Sequence, residues 1–156
     1  NITYIVGARI KNMSKKLKAQ ITDMDNYSKL NDDMKIATFD LDDGKKLLVS
    51  HSLKRAKKDK YEREKNIQKL KEKFEKSQSP KDYLSNSGYK KYLQLDYTED
   101  NNKNKECKLK LIINEEKIKE DSIWDGLKGI VTNNSELTNE ELIEQYSNLW
   151  QVEESF

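Results

Sequence analysis

The most constraining stretch of this chain is Asp42-Asp43-Gly44, which separates two runs of strand character, KIATFDL (35–41) and KKLLVSH (45–51). Asp-Gly supplies the two positive φ angles that a type I′ turn needs at its centre. A hairpin of two antiparallel strands is therefore predicted over 35–51. TYIVGARI (3–10) reads as a buried strand, and its Gly7 suggests a close backbone approach. KLKLIIN (108–114) and LKGIVTN (127–133) read as strands, YLQLDY (92–97) as a strand-like end to a tyrosine-rich segment, and 124–126 as a turn. Leu17, Ile21 and Met24 give 11–33 a weak helical period. Residues 100–105 read as a polar loop and 115–121 as a charged turn or short helix.

Apolar residues make up 34% of the chain and charged residues 37%. Soluble domains usually carry about 45–50% apolar and about 25% charged residues, so the core must be small for 156 residues or part of the chain must lie outside it. The net charge of +2 conceals an uneven distribution. Residues 53–76 form a basic helix with eleven Lys or Arg against five Asp or Glu, and a narrow apolar edge of Ile67, Leu70 and Phe74. The densest cluster, Lys54, Arg55, Lys57, Lys58 and Lys60, suits a polyanion; a solvated face is the plainer reading. Ser77–Pro80 ends the helix, because the residue before proline avoids the α region. Residues 134–156 carry six Glu and no Lys or Arg.

Cys107 is the only cysteine, which excludes an intrachain disulfide and fits a reducing compartment. No apolar run approaches the roughly 20 residues of a membrane span, and nothing resembles a signal peptide. A first residue other than Met and a helix still periodic at Phe156 are expected of a piece of a longer chain. His51, the only histidine, Cys107, Trp124 and Trp150 read as structural residues.

The last helix is the most informative element. Thr138-Asn139-Glu140-Glu141 has the form of a capping box, with Thr138 at the N-cap and Glu141 three residues on; Thr132 and Asn133 are weaker candidates to cap or orient it. At about 100° per residue from Leu142, Tyr146 falls at about 40°, Leu149 at about −20° and Phe156 at about −40°. Glu153 falls at about 20°, inside the apolar stripe, whereas Glu144 and Glu154 lie off it. A buried, unpartnered carboxylate is costly. Three readings follow: a frayed end where Glu153 reaches solvent, a buried ion pair, or a functional carboxylate held at a cleft, often as a metal ligand.

YSNLWQVE (146–153) resembles, as Y-x2-L-x3-E, the Y-x2-R-x3-E signature of bacterial insertion-sequence transposases of the DDE class, in the branch with a long insertion before the catalytic Glu. YIVGARIKN resembles the strand after the second catalytic Asp of that family. WDGLKGIVTNN resembles the strand leading to the Glu helix, and FDLDDGKKLLVSHSLKRAKKDKYEREKNIQKL the hairpin and basic helix of the insertion. The resemblance covers most of the chain, least clearly 14–31 and 77–104.

It implies an RNase H-like α/β core interrupted by a mixed β-hairpin/helix insertion. Residues 1–12 would be a core strand, 13–122 the insertion with its basic helix 53–76, and 123–156 a core strand and the catalytic Glu helix. It further implies metal-dependent DNA strand cleavage and transfer, with Glu153 as the third acid of a two-Mg²⁺ (or Mn²⁺) site. The other two acids would lie outside this chain, so the chain alone is expected to be inactive. Two metals suit in-line phosphoryl displacement because they stabilise both the attacking and the leaving oxygen. Tyr146 matches the signature Tyr, which assists catalysis or contacts phosphate; packing is an equal alternative. Leu149 stands where the signature has Arg and cannot hold a phosphate. The partners implied are DNA, at element ends and target, with a homodimer open to the full-length protein and no membrane, in the bacterial cytoplasm with the nucleoid. The alternative is a non-catalytic module that binds nucleic acid or a protein through the basic helix.

Overall fold

The structure, a computed structural model, describes residues 2–76, 88–99 and 107–154, with side chains described there except at 90, 95–99, 107–110 and 149–154. The chain is mixed α/β and divides into two compact units, Asn1–Ala56 with Gly126–Phe156, and Lys57–Asp125.

The first unit is built on a five-stranded antiparallel sheet. Its strands are β1 (Ile5–Ala8), β2 (Ser28–Lys29), β3 (Met34–Asp40), β4 (Lys46–Ser52) and β7 (Leu127–Thr132), in the spatial order β1-β7-β4-β3-β2. The hairpin β3–β4 forms where the Asp-Gly signal predicts it, with Asp40 opposite Lys46. Asp43 (φ 62°) and Gly44 (φ 72°) both occupy the left-handed region that the turn demands. The hairpin, which the resemblance assigns to the insertion, is hydrogen-bonded directly to β7: Leu48 pairs with Ile130 and Ser50 with Lys128.

The period of two divides the sheet residues between two faces. Ile36, Leu48 and Ile130 lie on one face, where they form a core with Leu142. Leu47 and Val49, both fully buried, lie on the other. There Ile10 Cγ2 fills the space that a Cβ on Gly129 would need. β4 is buried on both sides, and this explains why KKLLVSH does not alternate cleanly between apolar and polar.

Two expectations for this unit need correction. The run 3–10 is an edge strand, not a buried one: β1 pairs with β7 only, Val6 is 48% exposed, and Ile10 has already turned into a short 3₁₀ segment. The weak helix over 11–33 shrinks to α1 (Lys15–Ile21), capped by the Ser14 hydroxyl, which accepts from the Leu17 N–H. Short polar side chains stop it there. Thr22 Oγ1 donates back to the Lys18 carbonyl, Asn26 Nδ2 donates to the Gln20 carbonyl, and Asp23 accepts from the Asp25 N–H. Met24 is left in a turn, 39% exposed.

In the second unit, β5 (Leu93–Glu99) pairs antiparallel with β6 (Cys107–Ile113), and α3 (Glu115–Ser122) follows, capped by Asn114 Oδ1. The long basic helix is α2 (Leu53–Lys76), which belongs to this unit from Lys57 onward and to the first unit over its opening turn. Ile67 is buried on its apolar edge, and Leu70 and Phe74 are half-buried. The proline stop at 77–80 and the polar loop at 100–105 lie outside the described residues. Cys107 begins β6, and its side chain lies outside the described set. No described helix is long and apolar enough to cross a membrane.

Candidate nucleic-acid interface

The site is assembled from the end of the chain backwards. Helix α4 spans Asn139–Glu154. Thr138 caps it as expected: its Oγ1 accepts from the Glu141 N–H at 3.2 Å. The other half of the capping box differs, because the Glu141 carboxylate accepts from the Thr138 hydroxyl at 3.1 Å. Thr132 and Asn133 turn instead toward the start of the chain. Thr132 Oγ1 donates to the Tyr4 carbonyl at 2.7 Å, and Asn133 Oδ1 accepts from the Tyr4 N–H at 2.8 Å. These bonds tie β1 to the end of β7 and so fix the strand from which α4 departs.

One face of α4 packs on the sheet. Leu142 is fully buried against Ile36, Leu48 and Ile130, with Ile143 and Tyr146 beside it. Tyr146 crosses β1 at Gly7, where a Cβ would stand 2.7 Å from the Tyr146 hydroxyl oxygen. Gly7 is thus the close approach its sequence context suggests. The Lys128 ammonium sits 4.8 Å from the centre of the Tyr146 ring, a cation–π contact. Glu153 lies in the last turn of α4; its side chain, with those of Leu149 and Trp150, lies outside the described residues.

Between α4 and the sheet lies a cavity of about 390 Å³. Leu48, Ile130 and Ile143 give it an apolar floor, while Ser50, Arg55, Lys128, Tyr146 and Ser147 bring polar or charged groups to its wall. Arg55 is positioned by the start of α2. Its N–H donates to Ser52 Oγ, and that hydroxyl donates in turn to Asp33 Oδ2 at 2.7 Å. Asp33 Oδ1 accepts from the Lys54 N–H, so the free N–H groups of the helix start are met by Ser52 and by a residue from the far end of the hairpin. Those hydrogen bonds, the Ser52 one foremost, hold the Asp33 carboxyl below the usual carboxylate range. Gly126 (φ 81°) brings β7 against this corner: Ser52 donates its N–H to the Gly126 carbonyl, and a Cβ at 126 would lie 2.6 Å from the Ser52 carbonyl oxygen.

All five residues of the basic cluster, Lys54, Arg55, Lys57, Lys58 and Lys60, are exposed. Arg55 alone among them reaches the cavity. His51 is half-buried in β4, paired with Leu127 and Lys35.

In the second unit the sequence conceals a buried ion pair. Arg63, on the buried edge of α2, donates two parallel hydrogen bonds of 2.8 Å to the Asp125 carboxylate. Both side chains are largely buried, at 9% and 17% exposure. The guanidinium pKa is raised, first by its hydrogen bonds to Asp125. Nearby, Asp121 accepts from Tyr92 Oη at 2.7 Å and pairs with Lys91 at 2.8 Å. Burial pushes the Asp121 carboxyl up, but the bonds from Lys91 and Tyr92 together outweigh it and leave the pKa lowered. Only the i, i+4 pairing of Lys117 with Asp121 in this group was open to sequence reading.

Among the described residues, no three His, Cys, Asp or Glu side chains gather as a metal site. They do not by themselves supply a donor set for Mg²⁺, and no chemical step through a metal is derived from them. Comparisons with family models, curated proteins and solved structures each give no match.

Proposed function

We propose that this chain is part of a DDE-class insertion-sequence transposase, with an RNase H-like core, and that the whole protein cleaves and transfers DNA strands using divalent metal. The observation that carries this reading is the setting of the signature segment. Tyr146 and position 153 stand on one capped helix, and the Leu142–Ile143–Tyr146 face of that helix packs on a sheet whose strand β7 immediately precedes it. A ligand on a rigid, packed helix keeps its place during reaction. Position 153 follows Leu142 by three helical turns, close to its azimuth. In this reading Glu153 is one metal ligand, the other two acids and Mg²⁺ or Mn²⁺ complete the site from outside these 156 residues, and the protein acts on DNA in the bacterial cytoplasm.

The test is Glu153→Gln in the full-length parent. Strand cleavage should vanish while binding to element-end DNA persists. Cleavage at the parental rate would remove Glu153 from the mechanism. The isolated chain should neither nick nor join DNA in Mg²⁺.

The exposure of all five cations of the basic cluster favours a second reading, a non-catalytic module that binds nucleic acid through α2. It predicts that neutralising Lys54, Lys57, Lys58 and Lys60 abolishes binding, and that Glu153→Gln in the parent changes no activity.

A further inference from the structure

The cavity under α4 has a sign. Among the described residues its wall carries two cations, Arg55 and Lys128, hydroxyls from Ser50, Ser52, Ser147 and Tyr146, and no Asp or Glu. Its volume falls within the roughly 300–1,000 Å³ typical of ligand sites. Another cavity, about 660 Å³ in the second unit, mixes Glu64, Glu115 and Asp125 with its cations and favours neither sign.

Both cations stand on regular elements. Lys128 projects from β7, between two hydrogen-bonded neighbours, and its ammonium rests over Tyr146. Arg55 lies in the first turn of α2, where the Ser52 hydroxyl fixes its backbone. A carboxylate beside that turn, Asp33, is engaged by Ser52 and the Lys54 N–H. The Arg55 guanidinium forms no ion pair among the described residues. Guanidinium and ammonium donors around a hydroxyl-lined wall match the oxygens of a phosphate group.

Helix α4 itself offers no cation, since residues 134–156 contain no Lys or Arg, and Leu149 occupies the position where the resemblance calls for one. We propose that Arg55 and Lys128, from α2 and β7, form a phosphate-binding site at this cavity that grips the backbone of a nucleic acid strand beside Tyr146. The proposal rests on the DNA-acting reading above and deepens it. It replaces a cation on the signature helix by two cations on the elements facing that helix.

The experiment uses the 156-residue chain and a fluorescently labelled DNA duplex, with affinity followed by anisotropy across a salt series. Each phosphate contact contributes about 0.9 to the slope of log affinity against log salt. Arg55→Gln and Lys128→Gln should each lower the slope by about 0.9, and the double variant by about 1.8. Circular dichroism checks that each variant keeps the parental fold; should Lys128→Gln lose it, Lys128→Met, which keeps an unbranched apolar stem without the charge, supplies the same comparison, and Arg55→Gln alone must still lower the slope by about 0.9. A double variant that binds DNA with the parental slope overturns the site and leaves the DNA-acting reading standing. Conversely, a slope that falls as expected, beside full cleavage by the Glu153→Gln parent, upholds the site and sinks the catalytic reading. Inorganic phosphate and a nucleoside monophosphate form a separate arm. Saturable binding of either, abolished in the double variant, with no binding of DNA by the parental chain, makes the ligand a free phosphate and overturns the nucleic-acid assignment.

Discussion

Breaking the Arg63–Asp125 pair tests the account of the second unit most directly. Two parallel 2.8 Å hydrogen bonds join side chains that are 9% and 17% exposed, so either partner alone would be left as a poorly solvated charge. Removing one member of a buried pair costs about 3–5 kcal/mol. The residual exposure of Asp125 lets water reach part of its carboxylate, so Arg63→Met should fall near the lower end, about 3 kcal/mol. Asp125→Leu should cost a similar amount. The double variant buries neither charge and should cost clearly less than the sum, with a coupling energy of about 2 kcal/mol. Urea unfolding followed by far-ultraviolet circular dichroism reads this: at a slope of about 2 kcal/mol per molar, each single change moves the midpoint down by about 1.5 M. A coupling below about 0.5 kcal/mol, with the two single changes simply adding, would refute the reasoning and show the pair to be screened by solvent. Arg63 Nε, buried without a hydrogen-bond partner among the described residues, adds a cost that Arg63→Met relieves, which is a further reason to place that variant low in the range.

Gly126→Ala should destabilise the first unit by about 2–4 kcal/mol: the left-handed backbone at φ 81° costs an alanine about 1–3 kcal/mol, and its Cβ would press to 2.6 Å of the Ser52 carbonyl; a urea midpoint equal to the parent's would show that this corner is loose. Asp33 has a depressed carboxyl pKa, so its capping contribution is fully present above the unfolded value of about 4 and disappears as pH falls through the lower folded value. The difference in urea midpoint between the parent and Asp33→Asn should therefore be constant from neutral pH to about pH 5 and shrink below about pH 4; a gap that widens in acid contradicts the assignment. Thr138→Ala removes the acceptor for the Glu141 N–H and should cost about 1 kcal/mol, read as lost helicity near the start of α4 by amide hydrogen exchange.

What could be read from the sequence divides along the range of the interaction. The hairpin was legible because its signal is local: Asp43 and Gly44 must take positive φ, and the flanking runs need only fold back on each other. The start of α4 was legible for the same reason, with Thr138 and Glu141 three residues apart. Gly7 hinted at a close approach but not at Tyr146, which arrives from the far end of the chain. Arg63 looked like one more cation in a helix with eleven Lys or Arg, and only its partner, 62 positions away, distinguishes it. The cap on α2 is equally hidden, since Asp33 reaches Lys54 across 21 positions. Misread elements had strong local competitors: the 11–33 helix yields to Thr22, Asp23 and Asn26, which hydrogen-bond the backbone themselves. Of the candidate site, the sequence indicated Tyr146, Arg55 and the placing of Glu153 in a helix; Lys128, one residue before Gly129 in an apolar strand, was passed over.

The position of β7 in the sheet also governs the order in which the first unit can assemble. β1 and β4 do not pair with each other; each is hydrogen-bonded to β7, and the tie between Tyr4 and Asn133 joins residues 129 positions apart. On the ribosome the β3–β4 hairpin can form early, but its Leu47, Leu48 and Val49 must wait for residues 127–132 before β4 gains its second neighbour. Closure over so long a span is slow, and an unpaired apolar strand is prone to aggregate in the meantime. Pulse-labelled hydrogen exchange should accordingly show β3–β4 amides protected well before those of β1, and a chain stopped short of Leu127 should be recovered as aggregate rather than as a smaller folded sheet.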